Sequence, residues 1–450
     1  MKKEQTSVTL SQVLALREDR VRWQGEMLSH GLPVISFSMN IAGPVKTSPL
    51  IRRAMADGVF LLRARLGEAL HREERHPSSA GDTVLFSVDR EPCALKELCL
   101  ALEEEHPCGR LFDLDVLAPT GEKLSRPRQR GCFVCGAAGS GCASRRLHSV
   151  EELQARTHEI LTEGLLKRDA ERLADLTVRA LLTEARTTPK PGLVDGRNSG
   201  SHRDMDLPLF EKSARSLREH FAAFFRLARE NAHRPHDGLY LLLQKEGVLA
   251  ERSMLAATGG VNTHKGAIFS MGLILGALGL FAPDEPFSVS LLSDFARHLA
   301  AMAPLAQLRT PISQTAGASL YRCGIGGVRG EALEGFPTVA EHALPFYRDM
   351  LSRGLEGEYA RCLTLLRILT LTEDSNLHRR GGAEGAAFAR GEAERLLSAP
   401  QLPAKEELCA LDDAFIARNL SPGGAADLLA LTELIYLLEE GSSRERELFE

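Results

Sequence analysis

In the run GRLFDLDV, residues 109–116, Asp113 and Asp115 sit one residue apart. On a strand that spacing puts both carboxylates on one face and Phe112, Leu114 and Val116 on the other, towards a core. Two carboxylates on one face can share a divalent cation, typically Mg²⁺. Such a site suits phosphoryl or nucleotidyl transfer, where the metal stabilises departing pyrophosphate. Arg110 lies beside the pair, and Lys46 follows a Gly43-Pro44 turn in NIAGPVK, placed to meet a phosphate. A solvated strand face and a surface lysine would give the same letters.

The run GCFVCGAAGSGCASRRLHS, residues 131–149, holds Cys132, Cys135, Cys142 and His148. A C-x-x-C pair followed by Cys and His resembles a zinc ligand set. A second reading stays open, in which Arg145, Arg146 and His148 face phosphates and the thiols are structural.

Further along, polar connectors interrupt long apolar stretches. Glu184 ends one helix, and TPKPGLVDGRNSGSHRDMD, residues 188–206, follows with Lys190, Asp195, His202, Asp204 and Asp206. TGGVNTHKGAIFS brings Asn262, His264 and Lys265 to a helix start, where backbone N–H groups favour an anion. GGVRGEALEGFP adds Arg329 and Glu331; EDSNLHRRGG adds Asp374, Asn376, His378, Arg379 and Arg380; NLSPGGAADLLALT puts Ser421 and Pro422 at the start of the last long helix. Turns between helices are often polar and glycine-rich, so each connector has a bland explanation. Together they offer carboxylates for metal or for a cationic transition state, and cations for a polyphosphate. The G-x-x-x-x-G-K-[ST] loop is absent from the sequence.

The elements that must hold these groups change character along the chain. Residues 11–29 form an amphipathic helix with Ser11 as N-cap. Strands are expected at 33–41, 84–88 and 111–117, with a helix at 93–105. From about residue 150 helical periodicity dominates, at 150–185, 208–230, 238–257, 264–282, 288–309, 338–372, 383–398 and 424–440. Phe221, Phe225 and Ala228 share one face. The expected architecture has two domains: an α+β, nucleotidyltransferase-like domain over 1–160, and an all-α helical bundle over 161–450, meeting in a charged helical stretch.

The 450 residues are enough for more than one core. Net charge is −5 with a pI near 6.3, which gives no general basic field for nucleic acid. The first residues lack an apolar signal core. Residues 266–283 are uncharged but glycine-rich, and read as a buried helix in which Gly272, Gly276 and Gly279 allow close packing, rather than as a membrane span. Nine cysteines without a signal point to reduced thiols and a cytoplasmic chain.

The combination TPKPGLVD, SHRDMD, GGVNTHKGAIF, GVRGEA–GFP, EDSNLHRRGG and SPGGAADLLA, spanning about 184–432, resembles triphosphoribosyl-dephospho-CoA synthase. NIAGPVK, GRLFDLDV and CFVC–C–RRLH, within about 10–155, resemble apo-citrate lyase phosphoribosyl-dephospho-CoA transferase. The resemblance implies a bifunctional enzyme acting on ATP and 3′-dephospho-CoA with Mg²⁺, and the citrate lyase acyl carrier subunit as protein partner. It makes Glu184, Asp195 and Asp204 candidates for hydroxyl activation, cation stabilisation or metal binding. Lys190, His202, His264, Lys265, Arg329 and Arg379 become candidates for substrate or phosphate binding, and Asn262, Glu331, Asp374 and Asn376 for metal or substrate contacts. Asp113 and Asp115 would hold Mg²⁺ in the transferase step, with Lys46, Arg110, Arg145 and His148 around the phosphates. Two alternatives are a metal-dependent nucleotidyltransferase with a nucleotide-sensing helical domain, and a non-enzymatic zinc- and nucleotide-binding assembly factor for a lyase.

Overall fold

The structure, a computed structural model, describes residues 7–137, 142, 145, 147–282, 287–303 and 326–447. It divides into two compact units, Met1–Asp169 and Ala170–Glu450.

In the first unit, helix α1 (Leu10–Leu28) is followed by β1 (Val34–Met39), α2 (Pro49–Leu66), β2 (Leu70–His76), β3 (Thr83–Val88), α3 (Pro92–Glu105) and β4 (Phe112–Leu117). The strands form one antiparallel sheet in the order β2-β3-β1-β4. One face carries Ile35, Phe37, Val84, Phe86, Phe112, Leu114 and Val116, and packs with Leu62, Leu95 and Leu161 into the main core. The other face is apolar at one end only, where Val34, Leu85 and Leu117 meet Trp23 and Met27 of α1.

Three local differences from expectation have physical causes. Helix α1 is capped by Thr9 rather than Ser11, because Thr9 and Gln12 exchange the two bonds of a capping box. Helix α2, unassigned from sequence, starts with Ser48 accepting from Ile51 N–H and Pro49 in the first turn. Strand β2, LHREERH, lacks apolar alternation because it is an edge strand, where charge blunts further pairing.

Helix α4 (Val150–Arg186) contains the division between the units. The second unit continues with α5 (Leu207–Ser216), α6 (Arg218–Glu230), α7 (His236–Thr258), α8 (Lys265–Leu280), α9 (Val289–Ala301) and α10 (Gly327–Glu334). A π-turn at Thr338–Ala343 runs into α11 (Leu344–Ser352), followed by α12 (Gly357–Leu371), α13 (Ser375–Leu397), α14 (Lys405–Ala417) and α15 (Gly423–Glu447). Beyond Lys265, helix α8 is buried almost all round, as its uncharged sequence from Gly266 requires. A Cβ on Gly272 would lie 2.7 Å from Phe224, on Gly276 2.6 Å from Leu243, and on Gly279 2.5 Å from Ala228, so small residues do set the packing distance. Phe221, Phe225 and Ala228 are all buried. None of the described helices is long and apolar enough to cross a membrane.

The stretch expected as one helix over 208–230 is two. Ser216 Oγ takes the Ser213 carbonyl and Leu217 N–H reaches back to Ala214 O, tightening the turn between them. The 338–372 stretch breaks at Gly354, whose φ of +81° ends α11. The run α13 is two helices that meet at a kink, where Gly382 takes non-helical angles (φ +62°, ψ −164°); the second starts at 383, as expected, and the short one before it was not expected. Helices α10 and α14 were not expected, and residues 304–309 of the expected 288–309 helix lie outside the described residues.

Candidate active sites

On the half-open face of the first unit's sheet, Ser38 pairs with Asp113 and Ser36 with Asp115 across β1 and β4. Thr83 lies opposite Ser38 on β3. Ser36, Ser38, Thr83 and Ser87 are buried, and the Thr83 and Ser87 hydroxyls have no hydrogen-bond partner among the described residues. Unpaired buried hydroxyls are costly, so this face carries two polar groups that the described residues leave unsatisfied. Asp115 pairs with Lys123 at 2.6 Å. Burial, and then the neighbouring Asp115 charge, raise Asp113 above the ordinary carboxyl range. Two crowded carboxylates, one strained towards its proton, fit a divalent cation, which would relieve both effects.

Lys123, Arg20 and Arg126 bring positive charge to Asp113. Arg20 of α1 is pulled below its ordinary value by burial, against the opposing pull of Asp113 and Asp115, and its Nε is buried without a partner among the described residues. Lys46 bonds the Ile41 carbonyl at 2.5 Å and is lowered first by burial and then by Arg17. Arg110 turns away from the carboxylates to bond Gly131 O. Arg145 is exposed, and Arg146 lies outside the described residues. Sequence reading missed Arg17 and Arg20; their i, i+3 spacing on one helix is the only signal they carried.

The Cys132, Cys135, Cys142 and His148 ligand atoms all lie within 4.8 Å of one another.

In the second unit the 188–206 loop is fixed largely by Asp195 and by α14. Asp195 accepts from the backbone N–H groups of Lys190, Arg197 and Asn198 at 2.7–3.0 Å. Asp412 accepts from Gly192 N–H and Asn198 Nδ2, and pairs with Arg197. Gly192 has φ +69°, and a Cβ there would fall 2.2 Å from Leu420 O, so only glycine fits.

This loop delivers Lys190, 1% exposed, to Glu184, 4% exposed, at 2.5 Å. Around them are His264 and Asp427. His264 donates or accepts through Nδ1 with Ser213 Oγ at 2.8 Å, while its buried Nε2 has no partner among the described residues. Burial, with Lys190 adding to it, pulls His264 down to about 3, so the ring is neutral. Burial raises Glu184, although Lys190 opposes that. Asp427 is driven well up by burial, then by Glu184 and Asp374. A Cβ on Gly266 would stand 1.9 Å from Asp427 Oδ2, so the glycine of the N-T-H-K-G run is what admits this carboxylate.

Asp374 caps two helices at once. Its Oδ1 accepts from Asn376 and Leu377 N–H and its Oδ2 from Ala425 N–H, so it ties α13 to α15. His202 meets Ser421 Oγ at 2.8 Å and Arg380 at 3.3 Å. Asp204 is exposed, and its charge reaches both His202 and Arg380. Arg379 bonds Asn376 Oδ1. Asn262 is exposed and accepts from Lys265 N–H, while Lys265 pairs with Glu251 at the surface. Arg329 is exposed, and Glu331 spends both oxygens on Thr338. The structure thus gathers Glu184, Lys190, His264 and Asp427 in one cluster and His202, Arg379, Arg380 and Asn376 around the start of α13. Glu331 is instead engaged by Thr338, and Arg329 lies at the surface.

Residues 170–446 match the family described as ATP:dephospho-CoA triphosphoribosyl transferase, and residues 8–164 match apo-citrate lyase phosphoribosyl-dephospho-CoA transferase. A Haemophilus influenzae protein called CitXG is 34% identical over 95% of this chain and 96% of its own length. The chain belongs to this fused transferase family. The 2-(5''-triphosphoribosyl)-3'-dephosphocoenzyme-A synthase of Pectobacterium atrosepticum is 44% identical, covering 57% of this chain and 86% of the relative. A probable synthase of the same name from Salmonella typhimurium is 40% identical, over 60% and 92% respectively. The fused transferase is therefore bifunctional, and its two parts serve formation of the citrate lyase prosthetic group.

Proposed function

We propose that the second unit joins ATP to 3′-dephospho-CoA with release of adenine, and that the first transfers the phosphoribosyl-dephospho-CoA group to a serine of the citrate lyase acyl carrier subunit with release of pyrophosphate. The convergence of Glu184, Lys190, His264 and Asp427 carries the first half of this reading.

In the synthase step the bond between ribose C1′ and adenine breaks, leaving an oxocarbenium-like centre. A ribose hydroxyl oxygen of dephospho-CoA bonds to that carbon and gives up its proton. The environments of two carboxyls separate their roles. Glu184 has Lys190 beside it and accepts the hydroxyl proton. Asp427, crowded by Glu184 and Asp374, keeps its proton and donates it to the departing adenine. Neutral His264 offers its unpaired Nε2 to the substrate. His202, Arg379 and Arg380 hold phosphate oxygens, with Lys265 at the N-terminus of α8 as a further contact.

In the transferase step the carrier serine Oγ bonds to the phosphorus nearest the ribose as its hydroxyl proton passes to water or to the departing pyrophosphate, and the phosphorus–oxygen bond to pyrophosphate breaks. Asp113 and Asp115 would hold Mg²⁺, which supplies charge neutralisation at the phosphates. Arg17, Arg20 and Lys46 neutralise pyrophosphate from α1 and the β1–α2 loop. A nucleotidyltransferase-like first unit fits this chemistry.

Free adenine is the direct readout of the first step. The protein mixed with ATP, Mg²⁺ and dephospho-CoA is expected to release it, and Glu184→Gln or Asp427→Asn to slow release by about 10²–10⁴-fold. Nucleotide binding without adenine release by the wild-type chain would instead favour a nucleotide-sensing domain.

A further inference from the structure

The four groups after β4 have the chemistry of a closed metal site. Cys132, Cys135, Cys142 and His148 present three sulfurs and a ring nitrogen within 4.8 Å of one another. Cys135 Sγ and Cys142 Sγ are 3.5 Å apart. That is far longer than a disulfide of about 2.05 Å. It approaches the ~3.8 Å between sulfurs around a tetrahedral centre with Zn–S bonds of about 2.3 Å. His148 Nε2 is buried without a partner among the described residues. The backbone has the form such a site needs. Gly136 N–H bonds Cys132 O and Cys132 N–H bonds Ala137 O, both at 2.8 Å, and Gly136 takes φ +73°. This tight turn brings the C-x-x-C sulfurs together, with the Val134 and Cys135 amides directed at Cys132 Sγ.

We infer that Cys132, Cys135, Cys142 and His148 bind one Zn²⁺ in a structural, four-ligand site. Three soft sulfurs and an imidazole in tetrahedral reach select zinc over magnesium or calcium. With four protein ligands no position is left open for catalytic water.

Its place in the fold gives the site a purpose. Arg110 bonds Gly131 O, next to Cys132. Arg130 bonds the Phe112 and Gly109 carbonyls at 2.9 and 3.2 Å, and Arg156 of α4 reaches Phe133 O at 3.4 Å. The metal loop is thereby stitched to the start of β4, the strand that carries Asp113 and Asp115. Zinc is a staple behind the carboxylate face and takes no part in bond making.

Metal analysis of the full-length, reduced and desalted protein tests this independently of the transfer reactions. One zinc per chain is expected, with cobalt substitution giving thiolate-to-cobalt charge-transfer absorption. Cys135→Ser should lose the metal, and Cys93→Ser, an exposed thiol with no part in the cluster, should keep it. If Cys135→Ser does not fold, titrating wild-type thiols with a mercurial decides the matter: zinc should leave in step with cluster thiols. A reduced wild-type chain without zinc that also takes up neither zinc nor cobalt overturns the inference. So does a Cys135–Cys142 disulfide found in the native protein by peptide mass mapping.

Discussion

Lys190 shows how far a residue's letter departs from its role. In a proline- and glycine-rich loop it reads as a cation waiting for phosphate, yet it is buried against Glu184 at 2.5 Å. Removing one member of such a pair leaves an uncompensated buried charge, at a cost of about 3–5 kcal/mol. Lys190→Met is therefore expected to lower stability by about that amount in urea unfolding, and the double variant Lys190→Met/Glu184→Gln to recover most of it while remaining inactive in adenine release. A loss below about 1 kcal/mol, the level of a solvated pair, would contradict the burial of this contact. Asp427 shows the opposite failure. In GGAADLLALT an aspartate near a helix start looks like ordinary dipole complementation. Its meaning comes from Gly266 and Glu184, which are distant in sequence, and no local pattern reports them. The D-x-D pair was readable because strand alternation alone fixes which side chains share a face. Arg17 and Arg20 were not, because their relevance depends on which sheet face α1 covers.

At the scale of elements, periodicity located most of the long helices after residue 150, but it missed α2 and α14 and failed at helix ends and breaks. The kink at Gly382 separates the expected helix from a short one before it that periodicity did not show, and β2 is charged because it lies at the sheet edge. Helix α8 was legible in more detail, since its glycines imply close neighbours. The neighbours differ in what they can yield. At Gly276 the contact is the tip of Leu243, which can rotate, while at Gly279 it is Ala228 Cβ and the Phe225 backbone, which cannot. Thermal unfolding of Gly279→Ala is thus expected to show the larger loss, about 1–3 kcal/mol. Gly276→Ala should cost less. Equal losses, or the reverse order, would mean that α8 can shift to absorb a methyl group.

At the scale of the molecule, two compact units each carry one candidate site, and the product proposed for one is the substrate proposed for the other. Covalent linkage raises the effective concentration of an intermediate without any new contact. The division between families was legible in motifs because each set of polar connectors lies wholly within one unit. The two proposed reactions call on distinguishable residues of this chain. Their most direct test is the intact mass of the citrate lyase acyl carrier subunit after incubation with the protein, ATP, Mg²⁺ and dephospho-CoA, with adenine followed in the same tube. Wild-type protein should add the mass of one phosphoribosyl-dephospho-CoA group to the carrier, and Asp113→Asn should leave the carrier unmodified while adenine is still released. An unmodified carrier with wild-type protein, or undiminished loading by Asp113→Asn, would contradict the account.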